Sequence, residues 1–349
     1  MKRAGILGLP QSGKTTLFEV LMQGAGAAAP PGASARDRVG VVKVPDERID
    51  RLVAMFNPKK TALSTIQFVD SAAAGQGKPG KGQDLFTGVR QCDALVAVVR
   101  DFENPAVPAE KGVDPARDLR ELEAELVLND LAIVETRLER IEKEMKIGKK
   151  EAAAEGEVLK ICREALEAER PLRELDFTPE QLRLMKGFQF LTLKALLVVW
   201  NQDDDSKRQP PALGRHALAV TLRAHTEREI VSLPLEERAA FRAELALEQD
   251  GLSLIIRACY QLLGLISFFT VGPDEVRAWE IHLGDTAVDA AGEIHSDLAH
   301  GFIRAEVIAY TELVDLGSYA KAREKGVLRL EGKEYRVKDG DCMEIRHNA

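Results

Sequence analysis

A short segment near the start of the chain has the residue types and spacing of a phosphate-binding loop. Residues 8–15 read G-L-P-Q-S-G-K-T, which satisfies the pattern G-x-x-x-x-G-K-S/T. A predicted strand at residues 4–7 comes directly before the loop, and a predicted helix at residues 16–22 follows it. In such a loop the backbone N–H groups turn inward around an anion, and the helix start adds the positive end of its dipole. The segment therefore predicts a site for the phosphates of a purine nucleoside triphosphate.

The side chains of this loop have separate predicted roles. Lys14 is expected to reach the β- and γ-phosphates, and the hydroxyl of Thr15 is expected to coordinate Mg²⁺. The nucleotide contacts predicted in this segment are Gly8, Pro10, Gln11, Ser12, Gly13, Lys14, Thr15 and Thr16.

A second candidate lies at the end of another predicted strand, residues 65–69. Asp70 follows that strand, where a carboxylate at the carboxyl edge of the sheet could hold Mg²⁺ through a water molecule. Lys14 and Asp70 are therefore the predicted catalytic residues, and Thr15 and Asp70 are the predicted metal ligands. Residues 71–84 are rich in glycine, which fits a mobile switch loop or, as the alternative, a flexible connector.

A third candidate could read the base of the nucleotide. Residues 201–204 read N-Q-D-D and follow a predicted strand at residues 195–200. In guanine-specific P-loop proteins, a carboxylate three positions after the asparagine accepts from N1 and N2 of guanine, and adenine lacks this pair of donors. We expect Asn201, Gln202 and Asp204 to contact the nucleotide, and the literal motif permits GTP. The acidic residues 203–205 could instead form a solvated turn.

Size and composition exclude several classes of protein. With 349 residues the chain can form two or three domains, each with its own core. A formal net charge of -8 argues against a protein that coats nucleic acid, so DNA is not expected and any RNA contact must be local. The four cysteines are far apart, which predicts neither a disulfide framework nor a zinc site. Reduced thiols in the cytoplasm fit these cysteines best. No apolar run reaches about 18 residues, so we expect no membrane span.

The order of apolar runs predicts the fold class. Runs rich in β-branched residues alternate with helical patterns, which indicates an α/β domain with a mostly parallel sheet. The predicted strands of this sheet are residues 4–7, 65–69, 94–99, 195–200 and 217–221. Residues 39–44 could add an antiparallel edge strand that ends at Pro45.

A long charged region, residues 118–174, has a helical pattern of its own. Apolar residues repeat there at spacings of three and four, first at Leu131, Val134, Leu138, Ile141 and Met145, and then at Val158, Ile161, Ala165, Ala168 and Leu172. Two antiparallel helices that form an inserted arm would explain both runs. The alternative is two surface helices that pack separately on the core.

The last part of the chain has short β-like runs between glycine turns. These runs are residues 268–271, 302–307 and 335–337, and they predict a small β-rich domain that begins near residue 265. Basic side chains between residues 321 and 333 could form a local patch for RNA, or an ordinary solvated face.

Longer motifs carry a resemblance to a known family. They include G-L-P at residues 8–10, V-P-D-E-R at 44–48, F-F-T-V-G-P at 268–273, E-V-R-A-W at 275–279 and G-F-I-R-A-E-V at 301–307. These segments, spread over nearly the whole chain, resemble the YchF-type Obg-related ATPases, a branch of the translation-associated P-loop GTPases.

The resemblance implies a three-part molecule. Residues 1–117 and 186–264 would form a P-loop NTPase domain of the Ras and Obg type, residues 118–185 an inserted antiparallel coiled-coil arm, and residues 265–349 a TGS-like β-grasp domain. In such proteins the arm and the C-terminal domain flank a groove associated with ribosome or RNA binding. The family is described as preferring ATP and has a glutamate where this chain has Asp204, so ATP and GTP both stay open.

The chain departs from the family pattern around the γ-phosphate. The family motif D-x-x-G ends in a glycine whose N–H senses that phosphate, whereas Ala73 stands there in this chain. Ala73 can still present its N–H, but it lacks the freedom of glycine at positive φ. The expected switch threonine is missing from residues 27–39, which contain only Ser34. Many relatives place a glutamine directly after D-x-x-G to orient the attacking water, whereas this family is known for an apolar residue there, and Ala74 is consistent with that.

These features predict a Mg²⁺-dependent NTPase with slow intrinsic hydrolysis that acts as a nucleotide-controlled factor on the ribosome or RNA. The alternative is an adaptor that is stabilised by nucleotide and has lost hydrolysis. A small-molecule kinase is a third hypothesis, for which no acceptor-binding motif is present.

Overall fold

The computed structural model describes residues 1–24, 37–71, 86–146, 152–206, 208–247 and 250–348. The strands of the described residues are β1 (Lys2–Leu7), β2 (Asp37–Lys43), β3 (Lys60–Ala62), β4 (Thr65–Ser71), β5 (Ala94–Asp101), β6 (Ala195–Gln202), β7 (Ala217–Leu222), β8 (Leu265–Val271), β9 (Glu275–His282), β10 (Phe302–Ala309), β11 (Arg329–Glu331) and β12 (Asp341–His347). The helices are α1 (Lys14–Gly24), α2 (Glu47–Phe56), α3 (Thr87–Arg90), α4 (Pro115–Lys146), α5 (Ala153–Glu167), α6 (Pro179–Met185), α7 (Ala224–Ser232), α8 (Leu235–Glu244), α9 (Gly251–Leu262), α10 (Ala287–Ile294), α11 (Ser296–His300), α12 (Tyr310–Leu316) and α13 (Tyr319–Glu324).

The chain divides into two compact units. The first contains Met1–Val42 and Gln67–Leu262, and the second contains Lys43–Ile66 and Leu263–Ala349. Among the helices of the described residues, none is both long and apolar enough to cross a membrane.

The first unit is built on a six-stranded sheet in the order β2-β4-β1-β5-β6-β7. The pairs β1–β5, β5–β6 and β6–β7 are parallel. Every residue of β5 is buried, as is the centre of β6, because central parallel strands are covered on both faces. The predicted α/β fold with a P-loop is confirmed, and β2 lies at the edge of the sheet as predicted.

A helix pair, α4 and α5, leaves this sheet between β5 and β6. Arg137, in the last third of α4, donates from Nε to Glu155 Oε1 near the start of α5 at 2.5 Å. Arg173, just beyond the end of α5, donates to Glu123 near the start of α4, so the two helices run antiparallel. Their shared core includes Val134, Leu138 and Val158. The pair agrees with the predicted helical region, while its action as an arm stays a prediction.

The predicted apolar seam of the second helix is partly wrong. Ile161 is 44% exposed, and α5 buries Leu159, Cys162 and Leu166 instead. The Sγ atom of Cys162 lies 3.4 Å from Sδ of Met185 in α6. The buried face of α5 is therefore set by two neighbours, α4 and α6, and not by α4 alone. On α4, Met145 is also exposed, at 43%.

The second unit has a mixed sheet in the order β11-β10-β12-β8-β9-β3. Successive side chains of a strand point to opposite faces, and β8 illustrates this with Phe268 and Phe269. Phe268 packs with Ala287 and Ala290 of α10, whereas Phe269 packs with Ile49 of α2 on the other face. Both faces of this sheet are therefore covered by helices.

Residues 43–66 correct the predicted domain boundaries. The sequence analysis placed them in the nucleotide-binding domain, but in the structure they belong to the second unit. Strand β3 pairs in parallel with β9, and Arg48 of α2 contacts Asp339 at 2.8 Å. These pairings join residues more than 200 positions apart, and nothing in the local sequence indicates which sheet such a strand will join.

Two further expectations for this unit need correction. Residues 335–337 form no strand, since Arg336 makes only an isolated bridge with Thr286. In the predicted basic patch, Arg323 pairs with Glu306 at 3.0 Å and Arg329 with Glu331 at 3.1 Å. Acidic partners therefore neutralise part of the patch.

Candidate nucleotide-binding site

The loop between β1 and α1 has a backbone that only glycine fits at two positions. Gly8 has a φ of 153° and Gly13 a φ of 99°. A Cβ atom at Gly8 would collide with the carbonyl oxygen of Val98, and a Cβ at Gly13 would collide with Nδ2 of Asn201. The glycines of the motif are thus required by the close approach of neighbouring strands as well as by the turn.

The tip of the loop is held by an arginine that the sequence analysis did not assign. Gln11 adopts a φ of 63°, and its Oε1 accepts from Nη1 of Arg100 at 3.3 Å. Arg100 is buried and also donates to the carbonyl oxygens of Phe102 and Val107, at 3.1 and 2.9 Å. It therefore links the loop to the segment that follows β5. Arg100 lies in the segment V-V-R-D-F at residues 98–102, which also resembles the family and was the signal available in the sequence.

Lys14 begins α1 with its ammonium group turned back toward the loop. Its Nζ donates to the carbonyl oxygens of Gly8 and Leu9, both at 2.8 Å. Burial lowers the pKa of Lys14 to about 8, and the nearby carboxylate of Asp70 partly opposes this by raising it. In the described part of the chain this desolvated ammonium donates to two carbonyl oxygens and feels the charge of Asp70, so it can gain strongly from a phosphate.

A cavity of about 740 Å³ opens in front of the loop. Its size lies within the usual range for ligand pockets. The predicted contact residues that line it are Pro10, Gln11, Gly13, Lys14, Thr15, Thr16, Asn201, Gln202 and Asp204. The structure thus brings the predicted phosphate and base segments to one cavity. Gly8, Ser12 and Asp70 were also predicted as site residues but do not line it.

Asn201 connects the two segments through both ends of its amide. Its Nδ2 donates to the carbonyl oxygen of Ser12 at 3.0 Å, and its Oδ1 accepts from the backbone N–H of Ala224 at 3.1 Å. Asn201 is buried, so these bonds fix the end of β6 to the phosphate loop and to the start of α7. In this structure Asn201 therefore positions the site.

Gln202 turns toward a buried carboxylate. Its Nε2 donates to Asp101 Oδ2 at 3.1 Å, and the same oxygen accepts from Trp200 Nε1 at 3.1 Å and from Ser206 Oγ at 2.7 Å. Burial acts to raise the pKa of Asp101, but hydrogen bonds from Ser206, Arg208 and Gln202 outweigh it and hold the pKa below its usual range. Asp101 therefore fastens the segment after β6 to the end of β5.

Asp204 already has one hydrogen-bond donor and one ion-pair partner. Its Oδ1 accepts from Thr226 Oγ1 at 3.2 Å and lies 3.4 Å from Nη1 of Arg223. The carboxylate remains 64% exposed at the rim of the cavity. A guanine base would have to compete with these two partners for Asp204.

Asp70 is buried at the end of β4 and is paired with an arginine. Arg38, near the start of β2, donates to Asp70 Oδ2 from Nε at 3.2 Å and from Nη2. The guanidinium also contacts Glu19 at 3.3 Å and lies 4.9 Å from the ring centre of Phe18, both in α1. Arg38 was missed in the sequence because its contacts depend on β2 and β4 being neighbours in the sheet.

The oxygen atoms near Lys14 fit a magnesium ion bound jointly with phosphates. Thr15 is exposed beside Lys14, and the charge of Asp70 acts on the ammonium of Lys14. Hydroxyl and carboxylate oxygens are ligands that Mg²⁺ prefers, usually one or two from the protein with substrate phosphates and water. The described residues contain no cluster of three or more His, Cys, Asp or Glu that could hold a metal. Thr15 and Asp70 would therefore hold Mg²⁺ only together with a bound nucleotide.

Several predicted positions lie outside the described residues. These are Ala73 and Ala74 after Asp70, the glycine-rich part of residues 72–85, and Ser34.

Comparison with known proteins shows relatives that match over nearly the whole chain. The protein named "Ribosome-binding ATPase YchF" from Bacillus subtilis is 41% identical over 362 residues, and the match covers 99% of each chain. The protein of the same name from Haemophilus ducreyi is 40% identical over 360 residues, again over 99% of each chain.

The chain belongs to the YchF family.

A solved relative and a family model agree with this membership. The structure of the YchF GTPase from Schizosaccharomyces pombe matches with a TM-score of 0.82 and 28% sequence identity, covering 99% of this chain and 97% of that chain. Residues 265–348 match the YchF-GTPase_C family, described as a protein of unknown function (DUF933). This YchF chain therefore has the fold of a P-loop NTPase.

Proposed function

We propose that this protein is a Mg²⁺-dependent NTPase that binds ATP in preference to GTP. One observation carries the proposal: the phosphate loop, the buried ammonium of Lys14 and the segment 201–204 line one cavity of about 740 Å³. Lys14 and the backbone N–H groups of the loop would take the β- and γ-phosphates. Thr15 and Asp70 would hold the magnesium ion, which when bound neutralises charge on the phosphates.

The preference for ATP is argued from the base-reading segment. Guanine recognition needs a carboxylate free to accept from N1 and N2 of the base. Asp204 accepts from Thr226 and pairs with Arg223, and the Gln202 amide is bound to Asp101. Displacing Arg223 and Thr226 would cost part of the energy gained from guanine. The name "Ribosome-binding ATPase" of the relatives supports the same choice.

We expect slow intrinsic hydrolysis because the residues after Asp70 and residues 27–39 lack side chains that could assist the reaction. Ala74 cannot orient a water molecule, and residues 27–39 contain no threonine. Unassisted small GTPases that retain a water-orienting glutamine turn over at about 10⁻⁴ per second, so a comparable or lower rate is expected here. Ala73 would present its N–H to the γ-phosphate.

The partner that we propose is the ribosome, through the helix pair α4–α5 and the C-terminal unit. The relatives that match over 99% of their length are named for ribosome binding, which supports this partner and a cytoplasmic location. The helix pair would serve as the arm and the C-terminal sheet as the TGS-like domain. The nucleotide state would control the contact with the ribosome.

Phosphate release tests this function. Purified protein is incubated with Mg²⁺ and either ATP or GTP, alone and with ribosomes, and Lys14→Ala serves as the control. We expect slow release from ATP that ribosomes increase and that Lys14→Ala abolishes. Nucleotide binding without turnover in any condition would instead support the hydrolysis-deficient adaptor.

A further inference from the structure

The carboxylate expected to hold magnesium already carries a guanidinium. Asp70 is 7% exposed, and Arg38 places two N–H groups on its Oδ2. A buried carboxylate needs a compensating charge, and Arg38 provides one that does not depend on a metal ion.

We propose that Arg38 competes with Mg²⁺ for Asp70 and so sets the magnesium concentration at which the protein binds a nucleoside triphosphate tightly. This inference rests on the proposed function, because it assigns a regulator to the same site. It concerns Arg38 alone, which none of the motifs in the sequence pointed to.

Geometry and charge both support competition. The Oδ2 atom that accepts from Arg38 is one of the two oxygens through which Asp70 could reach a magnesium-bound water molecule. The positive charge of Arg38 next to that oxygen also repels a divalent cation, although solvent screens part of this repulsion because Arg38 is 45% exposed. Mg²⁺ can therefore use this carboxylate fully only when the guanidinium moves away.

Arg38 has a place to move to. Its side chain is 45% exposed, and Nη1 lies 3.3 Å from Oε1 of Glu19, which is itself 44% exposed. The guanidinium also lies against the ring of Phe18, one turn along α1 from Thr15. Contacts with Phe18 and Glu19 can keep the guanidinium on α1 after it releases Asp70.

The lysine of the loop does not make the same contact. Nζ of Lys14 donates to the carbonyl oxygens of Gly8 and Leu9. Among the described residues, Asp70 affects Lys14 through its charge and makes no hydrogen bond with it. Arg38 is thus the side chain that hydrogen-bonds Asp70 in the described residues. Substituting Arg38 therefore frees the carboxylate of Asp70, the expected metal ligand, and changes no residue of the phosphate loop.

The test measures nucleotide binding as a function of magnesium. A fluorescent, non-hydrolysable ATP analogue is titrated with Mg²⁺, and the midpoint concentration for tight binding is recorded for the wild type and for Arg38→Gln. We expect the Arg38→Gln midpoint to fall about three- to tenfold, in line with the coupling of groups in direct contact. Arg38→Lys keeps the charge but cannot donate from two nitrogens, so its midpoint should lie between the two.

Three further variants separate competition from a general effect of charge. In the Asp70→Asn background, adding Arg38→Gln should leave the midpoint unchanged, because the shared carboxylate is gone. Glu19→Gln removes the alternative partner, so its midpoint should rise. Arg137→Gln removes an arginine that also contacts one carboxylate through two nitrogens, but in the helix pair, and should have no effect.

The outcomes are distinguishable from failure of the proposed function. If the wild type binds no triphosphate at any magnesium concentration, the proposed function fails. If the wild type binds the triphosphate with a clear magnesium midpoint, and Arg38→Gln leaves that midpoint unchanged or raises it, Arg38 does not compete with Mg²⁺. The same holds if the shift persists in the Asp70→Asn background. A fall in thermal stability of Arg38→Gln without a shifted midpoint would mean that Arg38 is only structural.

Discussion

Nδ2 of Asn201 donates to the carbonyl oxygen of Ser12 at 3.0 Å, so the segment that follows β6 is bonded directly to the phosphate loop. The other end of the same amide accepts from the N–H of Ala224, at the start of α7. One buried side chain therefore aligns the two halves of the candidate nucleotide site.

Removing this amide should weaken binding and stability together. Asn201→Ala leaves the carbonyl of Ser12 and the N–H of Ala224 without partners, and each buried unpaired group costs about 1–3 kcal/mol. We expect nucleotide affinity to fall at least tenfold, about 1.4 kcal/mol, as measured by fluorescence titration. Asn201→Asp keeps an acceptor for Ala224 but repels the Ser12 carbonyl, so it should also bind weakly. Wild-type affinity in both variants would contradict the positioning function.

The lowered pKa of Lys14 predicts that nucleotide affinity depends on pH. Its pKa of about 8 in the free protein means that the ammonium loses its proton as the pH rises through that value. A bound phosphate stabilises the protonated form, so affinity is fully present below pH 8 and is lost above it.

The measurement uses ADP in EDTA, because the pKa refers to the metal-free protein. We expect binding about eightfold weaker at pH 9 than at pH 7.5, from the loss of the protonated fraction. Lys14→Ala should bind weakly at both values and show no such slope. A wild-type affinity that stays constant over this range would contradict the lowered pKa of Lys14, and a Lys14→Ala affinity equal to that of the wild type would show that Lys14 is not the phosphate ligand.

The ion pair between Asp204 and Arg223 predicts that a substitution of Arg223 changes the preference for ATP over GTP. Arg223 lies 3.4 Å from Asp204 and would compete with a guanine base for its carboxylate. The pair is partly exposed and is worth about 0.5–1 kcal/mol. Arg223→Ala should therefore shift the ratio of ATP to GTP affinity toward GTP by about threefold in competition binding. Arg228→Ala, at another residue of the cavity wall, is the matched control and should leave the ratio unchanged. Equal ratios in all three proteins would argue against this account of specificity.

The contacts of Arg48 lead to a test of whether residues 43–66 stabilise the second unit. It contacts Asp46 and Asp339, both at 2.8 Å, and lies 4.9 Å from the ring centre of Phe269. Arg48→Ala should destabilise the second unit by about 1–3 kcal/mol, because it leaves two carboxylates without this partner. Hydrogen exchange should show faster opening of β8 and α2 than in the wild type. Lys59→Ala, which breaks an exposed pair with Asp274, should leave exchange unchanged.

The phosphate loop and the first sheet could be predicted because their signals are local. The motif at residues 8–15 specifies its own strand and helix, and the buried strands β5 and β6 read as continuous apolar runs. Asn201 lines the same cavity as the phosphate loop, but its bonds to Ser12 and Ala224 depend on how distant segments meet.

The missed features depend on contacts between distant residues. Arg38 meets Asp70 only because β2 and β4 are neighbours in the sheet. Residues 43–66 belong to the second unit through the pairing of β3 with β9, which no local pattern predicts. The predicted seam of α5 was partly wrong because the buried face also contacts α6.

The most direct test of the central claim is equilibrium competition between ATP and GTP for the purified protein with Mg²⁺ present. The account predicts that ATP binds more tightly than GTP and that Lys14→Ala removes binding of both. No detectable affinity for either triphosphate would contradict the account, and GTP binding at least tenfold tighter than ATP, about 1.4 kcal/mol, would overturn the proposed preference.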